Sequence, residues 1–183
     1  MLAEKYKKEV IKEMIKLHGY KSVMAVPKIS KIVVNTGFGR AAANNTKDIQ
    51  RKFEELVVSD IAAITGQKPI LTRAKKSISS FKIRQGMVIG AKVTLRGPRM
   101  YAFLEKLLYI ALPRTMDFKG IDPDFIDNTG NLTIGLKEHV VFPEIIQDKE
   151  KQVFGLQFII NTTAKTKEEA YSLLKLMEFP FKK

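Results

Sequence analysis

Between Thr65 and Gly97 the chain places eight Lys or Arg residues and no Asp or Glu. Side chains of this type and density suit the holding of phosphate: ammonium and guanidinium groups neutralise its charge, and guanidinium can bond two of its oxygens at once. The acid-free window runs from Ile61 to Leu104 and holds nine basic residues, a net +9 of the chain's +13. Residues 1 to 60 add +5 and residues 105 to 183 add −1, so the excess charge belongs to one region. Nucleic acid and an anionic membrane are the physical candidates for the counter-charge.

Bond-breaking chemistry is poorly provided for. The only histidines are His18, at a helix end, and His139, in KEHVVFPE, and there is no Cys. A nucleophile with its base, or a zinc set, lacks material, and both histidines read as structural. Gly37, Gly39 and Ala42 in TGFGRAAANN fit the GxGxxA dinucleotide fingerprint after a strand. The caps of the next helix, Asn45 or Thr46, come too late for that glycine turn to open it, and no acid ends a second strand about 20 residues on, so the segment reads as a Gly-rich turn. Asp122, Asp124 and Asp127 suggest a calcium loop, but Ile126 stands where an oxygen ligand belongs, Asp127 where Gly belongs and Thr133 where Glu belongs. These are expected to be solvated loop carboxylates. No metal, cofactor or catalytic residue is expected.

Composition narrows the counter-charge. With 183 residues and 45% apolar content, the chain suits a single domain, 1–183, that needs no staple. The absence of Cys fits a reducing compartment, and MLAEKYKKEV lacks the apolar core of a signal peptide. The longest apolar run, Leu107 to Leu112, is six residues and cannot span a bilayer. A soluble cytosolic protein with no membrane partner is expected, which leaves nucleic acid.

The basic window needs elements to hold it. Lys68 to Arg73 reads as a strand, and Gly86 to Arg96 alternates, with Ile89, Ala91, Val93 and Leu95 on one face and Gly90, Lys92, Thr94 and Arg96 on the other. About a dozen residues, RAKKSISSFKIRQ, lie between them, more than a hairpin needs. Lys28 to Thr36 is a strand with Ile32 and Val34 pointing one way and Lys31, Val33 and Asn35 the other. Helices are expected over Leu2 to Leu17, with a stripe of Leu2, Tyr6, Val10, Met14 and Leu17, and over Lys47 to Thr65, with Ile49, Phe53, Leu56, Val57, Ile61 and Ile64. A third starts at Gly97 and Pro98 and ends at Pro113, and a fourth opens on the Thr166 to Glu169 capping box. Strands are expected at Asn131 to Leu136 and Val153 to Thr163. The order gives an α+β fold with a βαββαβ-like core, a mostly antiparallel sheet carrying helices on one face, an N-terminal helix, a C-terminal strand and helix, and a protruding basic loop at about 73–85. The open face would carry Lys31, Asn35, Lys92 and Thr94. Phe81, the one aromatic of the loop, either stacks on a base or anchors the loop, and the residues leave both readings open.

The stretch TGQKPILTRAKKSISSFKIRQGMVIGAKVTLRG resembles the signature of the bacterial ribosomal large-subunit protein five family, which binds 5S rRNA in the central protuberance. The resemblance continues through VPKISKIVVNTGFG, LEKLLYIALPR, DFKGID, GNLTIGLKEHVVFPEI, TTAKTKEEA and the terminal FPF. It implies the same α+β sandwich, with 5S rRNA on the sheet face at positions matching Lys31, Asn35, Gln67 and Thr94. The expected 5S set also takes in Thr36, Lys68, Phe81, Gly90, Lys92 and Arg96. It further implies that the loop reaches P-site tRNA through Arg73, Lys75, Lys76, Ser77, Ser79, Ser80, Lys82 and Arg84. Large-subunit rRNA and neighbouring ribosomal proteins, including one of the small-subunit head, are the other implied partners, and the implied place is the cytoplasmic ribosome. Two departures stand out: DFIDNTGN replaces the usual Ser-Phe-Asp-Gly turn before GN, and His139 stands where Gln is usual. A free-standing RNA-binding regulator or a nucleotide-dependent enzyme is the alternative, and co-sedimentation with large subunits would separate them.

Overall fold

A computed structural model of the chain describes residues 2–40, 47–116, 118–145 and 152–182. Ala42, Asn45 and Thr46, part of the dinucleotide-fingerprint reading, lie outside the described residues. Alternating and helical periodicities become five strands and four helices among those that are described. In chain order these are helix α1 (residues 2–18), strand β1 (Ile29–Gly37), helix α2 (Lys47–Thr65), strands β2 (Ile70–Arg73) and β3 (Val88–Leu95), helix α3 (residues 97–114), strands β4 (Leu132–Leu136) and β5 (Leu156–Thr162), and helix α4 (Lys167–Leu176). The strands form one sheet in the order β2-β3-β1-β5-β4, with β2 and β3 antiparallel. This is the α+β architecture expected, and β2 and β4 are its edges.

The chain divides into two compact units that share these strands. The first takes residues up to Val33, Leu95–Ile134 and the chain from Phe158 onward, and therefore holds α1, α3 and α4. Leu2, Val10 and Met14 are buried along α1, while Leu17, expected on that stripe, is 65% exposed. It sits in the final turn, just before Gly19 takes the left-handed conformation (φ 67°) and its N–H bonds Ile15 O at 2.9 Å. On α3, Met100, Phe103, Leu104, Leu107, Leu108 and Ala111 are buried, and Pro113 falls inside the last turn, which runs to Arg114. α4 is capped as its sequence demands: Thr166 Oγ1 accepts from the Glu169 N–H at 3.2 Å. The return arm reaches one residue further back than a standard capping box, with Glu169 Oε2 accepting from the Lys165 N–H at 2.9 Å.

The loop carboxylates of this unit do more than meet solvent. Asp127 Oδ1 accepts from the Thr129 N–H, the Thr129 hydroxyl and the Asn131 N–H, and Oδ2 from Asn131 Nδ2, at 2.7 to 2.9 Å. Burial alone would push its carboxyl up, but the bonds from Asn131 and Thr129 outweigh that and hold it below the usual aspartate value. This turn stands in the departing segment DFIDNTGN and supplies its own order. Asp124 pairs with Lys167 at 2.7 Å and Asp122 with Lys182 at 3.7 Å.

The second unit, Val34–Thr94 with Gly135–Gln157, contains α2, β2, most of β3 and the end of β1. Phe53, Val57, Ile61 and Ile64 bury one face of α2, whereas Ile49, expected with them, is 47% exposed in the first turns. Thr65 Oγ1 donates back to Ile61 O at 2.7 Å, and Gly66 (φ 67°) ends the helix. Phe38 and Phe53 meet edge to face at 5.4 Å between ring centroids, and Phe53 and Phe154 at 6.3 Å.

His139 is 1% exposed and its ring lies flat on Phe154, 3.8 Å between centroids. Its Nδ1 accepts from the Phe154 N–H at 3.3 Å, so the proton of the neutral ring sits on Nε2, which faces Asp60 Oδ2 of α2 at 3.3 Å. The contact is close but not aligned as a full hydrogen bond. The ring thus accepts one backbone hydrogen bond and sets an N–H close to a carboxylate, and a Gln side chain also offers an acceptor and a donor. The histidine is a packing and hydrogen-bonding residue.

Candidate nucleic-acid interface

Strand parity decides which of the basic and polar side chains share a surface. On β3, Ala91, Val93 and Leu95 are buried, Lys92 is exposed and Thr94 is half-buried, and Arg96, just past the strand, is exposed. On β1, Ile32 and Val34 are buried, and Lys31, Val33 and Asn35 are half-exposed. β2 joins in register, with Ile70 opposite Lys92 and Thr72 opposite Gly90. Cross-strand partners share a face, so Ile70 and Thr72 extend the row begun by Lys92. Lys31 and Arg96 fall in the first unit, and Asn35, Lys92 and Thr94 in the second.

Gln67 and Lys68 follow the left-handed Gly66 and enter β2, with Gln67 half-buried and Lys68 exposed. The Thr65 hydroxyl, which donates to Ile61 O, also fixes that corner by accepting from the Gln67 N–H at 3.3 Å. The backbone is thereby pinned, and among the described residues the side-chain amides of Asn35 and Gln67 and the Thr94 hydroxyl have no hydrogen-bond partner. Neutral donors and acceptors held on a rigid surface beside cations can read an RNA groove by hydrogen bonds as well as by charge.

Two expected members do not belong to this surface. Thr36 is 2% exposed on the face of Ile32 and Val34, and its hydroxyl donates to Gly155 O at 2.7 Å. Period-two alternation from Asn35 puts it on the core side. Gly90 has the right parity but is buried: a Cβ there would stand 2.5 Å from Thr36 O and 2.9 Å from Thr72 Oγ1. Its role is to let backbones approach closely, so it offers RNA little surface.

The basic loop is more ordered than its composition suggests. Ala74 N–H bonds Met87 O at 2.8 Å and Gly86 N–H bonds Ala74 O at 2.9 Å, which closes its base. Ile78 and Ile83 exchange a second pair of backbone bonds at 2.9 and 3.1 Å, around a short 3₁₀ turn at Ser79–Phe81. The Ser77 hydroxyl accepts from the Gln85 N–H at 2.9 Å, and an Arg73 guanidinium nitrogen donates to Gly86 O at 3.2 Å. Lys75, Lys76, Ser79, Ser80, Lys82 and Arg84 all project to solvent from this ladder. Phe81 is 66% exposed, so it does not anchor the loop in a core and is free to stack.

Sequence reasoning left out Ile70 and Thr72, and also Gln157 and Ile159 of β5, whose neighbours Leu156, Phe158 and Ile160 are buried. The alternation in LQFIINT was the signal that would have included the β5 pair. Among the described residues there is no cluster of His, Asp or Glu that could hold a metal, and no helix long and apolar enough to cross a membrane.

Comparisons with known proteins cover nearly the whole chain. Residues 22–84 match the family model described as ribosomal protein L5, and residues 88–181 match the model of the C-terminus of the same ribosomal family. Large ribosomal subunit protein uL5 of Halothermothrix orenii is 52% identical over 181 residues, covering 99% of this chain and 98% of the relative. The proteins of the same name from Dictyoglomus turgidum and Kosmotoga olearia are 54% and 50% identical, each covering 100% of this chain and 99% and 96% of the relative.

Proposed function

The chain belongs to the L5 family of large-subunit ribosomal proteins, and from that premise we propose that its open sheet face binds 5S rRNA while its basic hairpin tip contacts P-site tRNA. As a member it is a structural constituent of the cytoplasmic ribosome's large subunit and not an enzyme. The observation that carries the finer reading is the row of Asn35, Gln67 and Thr94, whose side chains have no partner among the described residues, set beside Lys68 and Lys92 on fixed backbone. We treat 1–183 as one RNA-binding domain, with large-subunit rRNA, neighbouring large-subunit proteins and a small-subunit head protein as its remaining partners.

The tip differs from the face in a way that suits a second RNA. Its side chains are long, cationic and exposed on a narrow ladder, and they can follow a phosphate backbone without demanding a sequence. The test of the face is a titration of purified chain against 5S rRNA over a range of salt. Binding saturating at one to one is expected, and with about five or six phosphates neutralised log K should fall against log salt with a slope of roughly −4 to −5. A slope near zero, or equal affinity for an unrelated RNA of the same length, overturns the proposal.

A further inference from the structure

Past the middle of α1 the chain has a second stretch without acid: Met14 to Lys47 holds six Lys or Arg residues and no Asp or Glu. Within the first unit this stretch ends α1, turns, and enters β1. The turn exposes Val23 and Met24, the latter to 89%, and Lys16, Lys21 and Lys28 on either side of it in sequence are exposed as well. The backbone that presents them is fixed. The Ser22 hydroxyl accepts from the Met24 N–H at 3.3 Å, and the Ala25 and Val26 N–H groups bond Ser22 O and Val23 O at 3.0 and 3.3 Å. Beyond the turn Val26 is buried, the Tyr6 hydroxyl of α1 donates to Pro27 O at 3.0 Å, and the Lys28 N–H donates to the Thr163 hydroxyl at 2.9 Å. Val26 supplies the apolar group that this corner packs, and Met24 is held out from the core on an ordered turn.

We propose that this corner is a further contact for 5S rRNA, in which Met24 packs against the face of an unpaired base while Lys21 and Lys28 hold the phosphates beside it. Charge selects the anion. Lys16, Lys21 and Lys28 have no ion-pair partner among the described residues. The carboxylate that reaches this segment, Glu169, lies beside His18 and Tyr20 and is committed to the start of α4, where its Oε2 accepts from the Lys165 N–H at 2.9 Å. The thioether selects the form of RNA. A Met side chain is flexible and polarisable and fits a flat apolar surface, and a base offers its face only where it is not stacked inside a helix. Continuity selects which RNA: Lys28 immediately precedes β1 and Lys31 lies on it, so the corner runs along one strand into the open face. The inference rests on the reading of that face as the 5S rRNA site and extends it to residues outside the sheet.

The experiment titrates the full chain and two variants against isolated 5S rRNA over a range of salt. Met24→Gln keeps the length of the side chain and removes its apolar end; it should lower affinity about fivefold at every salt concentration, leaving the salt slope and the melting temperature unchanged. Lys21→Gln combined with Lys28→Gln should instead flatten the slope of log K against log salt by roughly 1.5. Because the chain has no Cys, Met24→Cys also gives a single attachment point for an iron–EDTA probe. Hydroxyl radicals generated there in large subunits assembled on the labelled chain should cut 5S rRNA. Affinity indifferent to Met24→Gln, a slope indifferent to the lysine pair, cuts confined to large-subunit rRNA, or no cuts at all overturns the proposal. A neighbouring protein as the true occupant would leave 5S rRNA affinity unchanged in both variants. A chain that does not bind 5S rRNA overturns this inference together with the reading of the sheet face, whereas one that binds and is weakened by Thr94→Ala but not by Met24→Gln overturns this inference alone.

Discussion

Adjacent residues of β3 should fail in opposite ways when truncated. Thr94 is half-buried with its hydroxyl unengaged among the described residues, while Val93, one position earlier, is 2% exposed in the core. Thr94→Ala removes one hydroxyl that, in the complex, would leave its RNA partner without a hydrogen bond. That costs about 1 to 3 kcal/mol of binding, or roughly 5- to 150-fold in Kd. The same substitution leaves the folded chain nearly unchanged, because no internal bond is lost. Val93→Ala deletes two buried methyl groups and should cost about 1 to 2.5 kcal/mol of stability through lost transfer energy and the residual cavity. Its 5S rRNA affinity, measured where the chain is still folded, should stay within about twofold. Asn35→Ala is expected to behave as Thr94→Ala does. Filter binding at fixed salt and urea unfolding on the same preparations give both axes. If the Thr94 variant unfolds early while the Val93 variant binds poorly at full stability, the two faces of the sheet have been assigned the wrong way round.

Replacing residues 75–85 with an Asn-Gly turn, which retains the Ala74 pairing with Gly86 and Met87, should leave folding and most 5S rRNA binding intact. Ribosomes carrying it should release P-site tRNA faster, and unchanged retention in complete particles would refute the role of the tip; a Phe81→Ala control reports any base stacking separately. His139→Ala removes the group facing the buried Asp60 carboxyl and should cost about 2 to 4 kcal/mol in urea unfolding. His139→Gln, which restores one donor and one acceptor, should recover most of that, and equal losses in the two variants would show that volume alone matters. Asp127, Glu169 and Glu178 are all held below their ordinary values of 3.8 for the aspartate and 4.5 for the glutamates. A carboxyl with a depressed folded pKa stabilises above its unfolded value and loses that stabilisation as pH falls through the folded one. The melting temperature should therefore be level from pH 7 to about 5.5 and drop below about 4.5, less steeply in Asp127→Asn; identical acid profiles for the two chains would remove Asp127 from the account.

Local pattern carried most of the fold. Helical spacing located α2 at its observed bounds, and alternation located the buried Ala91, Val93 and Leu95 and the exposed Lys92 and Arg96, but failed at Ile89, which is half-exposed next to the register shift where Val88 is buried instead. Periodicity failed at element ends: Leu17 and Ile49 keep the right phase but sit in terminal turns where no neighbouring layer covers them. The strand order was not legible beyond the β2–β3 hairpin, because placing β1 between β3 and β5 depends on packing between distant segments. At the candidate interface the period-two rule was sound, and Thr36 was included against it. Gly90 was a different case, since only the approach of Thr36 O and the Thr72 hydroxyl reveals why that position has no side chain. The two isoleucines of SISSFKI, which meet across the loop, were visible as residues but not as a pair.

The hairpin tip bears on why so basic a segment is ordered at all. Lys82 takes the left-handed conformation, φ 54° and ψ 29°, immediately after the Ser79–Phe81 turn, and its N–H bonds Ser79 O at 3.0 Å. A side chain in that region costs roughly 1 kcal/mol relative to glycine, which would fit there without strain. The chain uses glycine freely at comparable positions, Gly66 and Gly86 among them, at φ 67° and 83°. Lys82 and Glu178 (φ 65°) are the two non-glycine residues with positive φ among those described, and at Lys82 the strained backbone presents an ammonium group to solvent. The Ile78–Ile83 bonds supply the compensation, since they close the turn on both sides and hold Lys82 beside the 66% exposed Phe81. On the proposed function, a cation and an aromatic ring presented together on a closed turn would meet a nucleic acid backbone and an unstacked base already ordered, so less entropy would be lost when the partner arrives. Lys75, Lys76 and Arg84 are exposed on the same ladder, each on a flexible stem, and in the proposed role would add charge that tolerates a shifting partner.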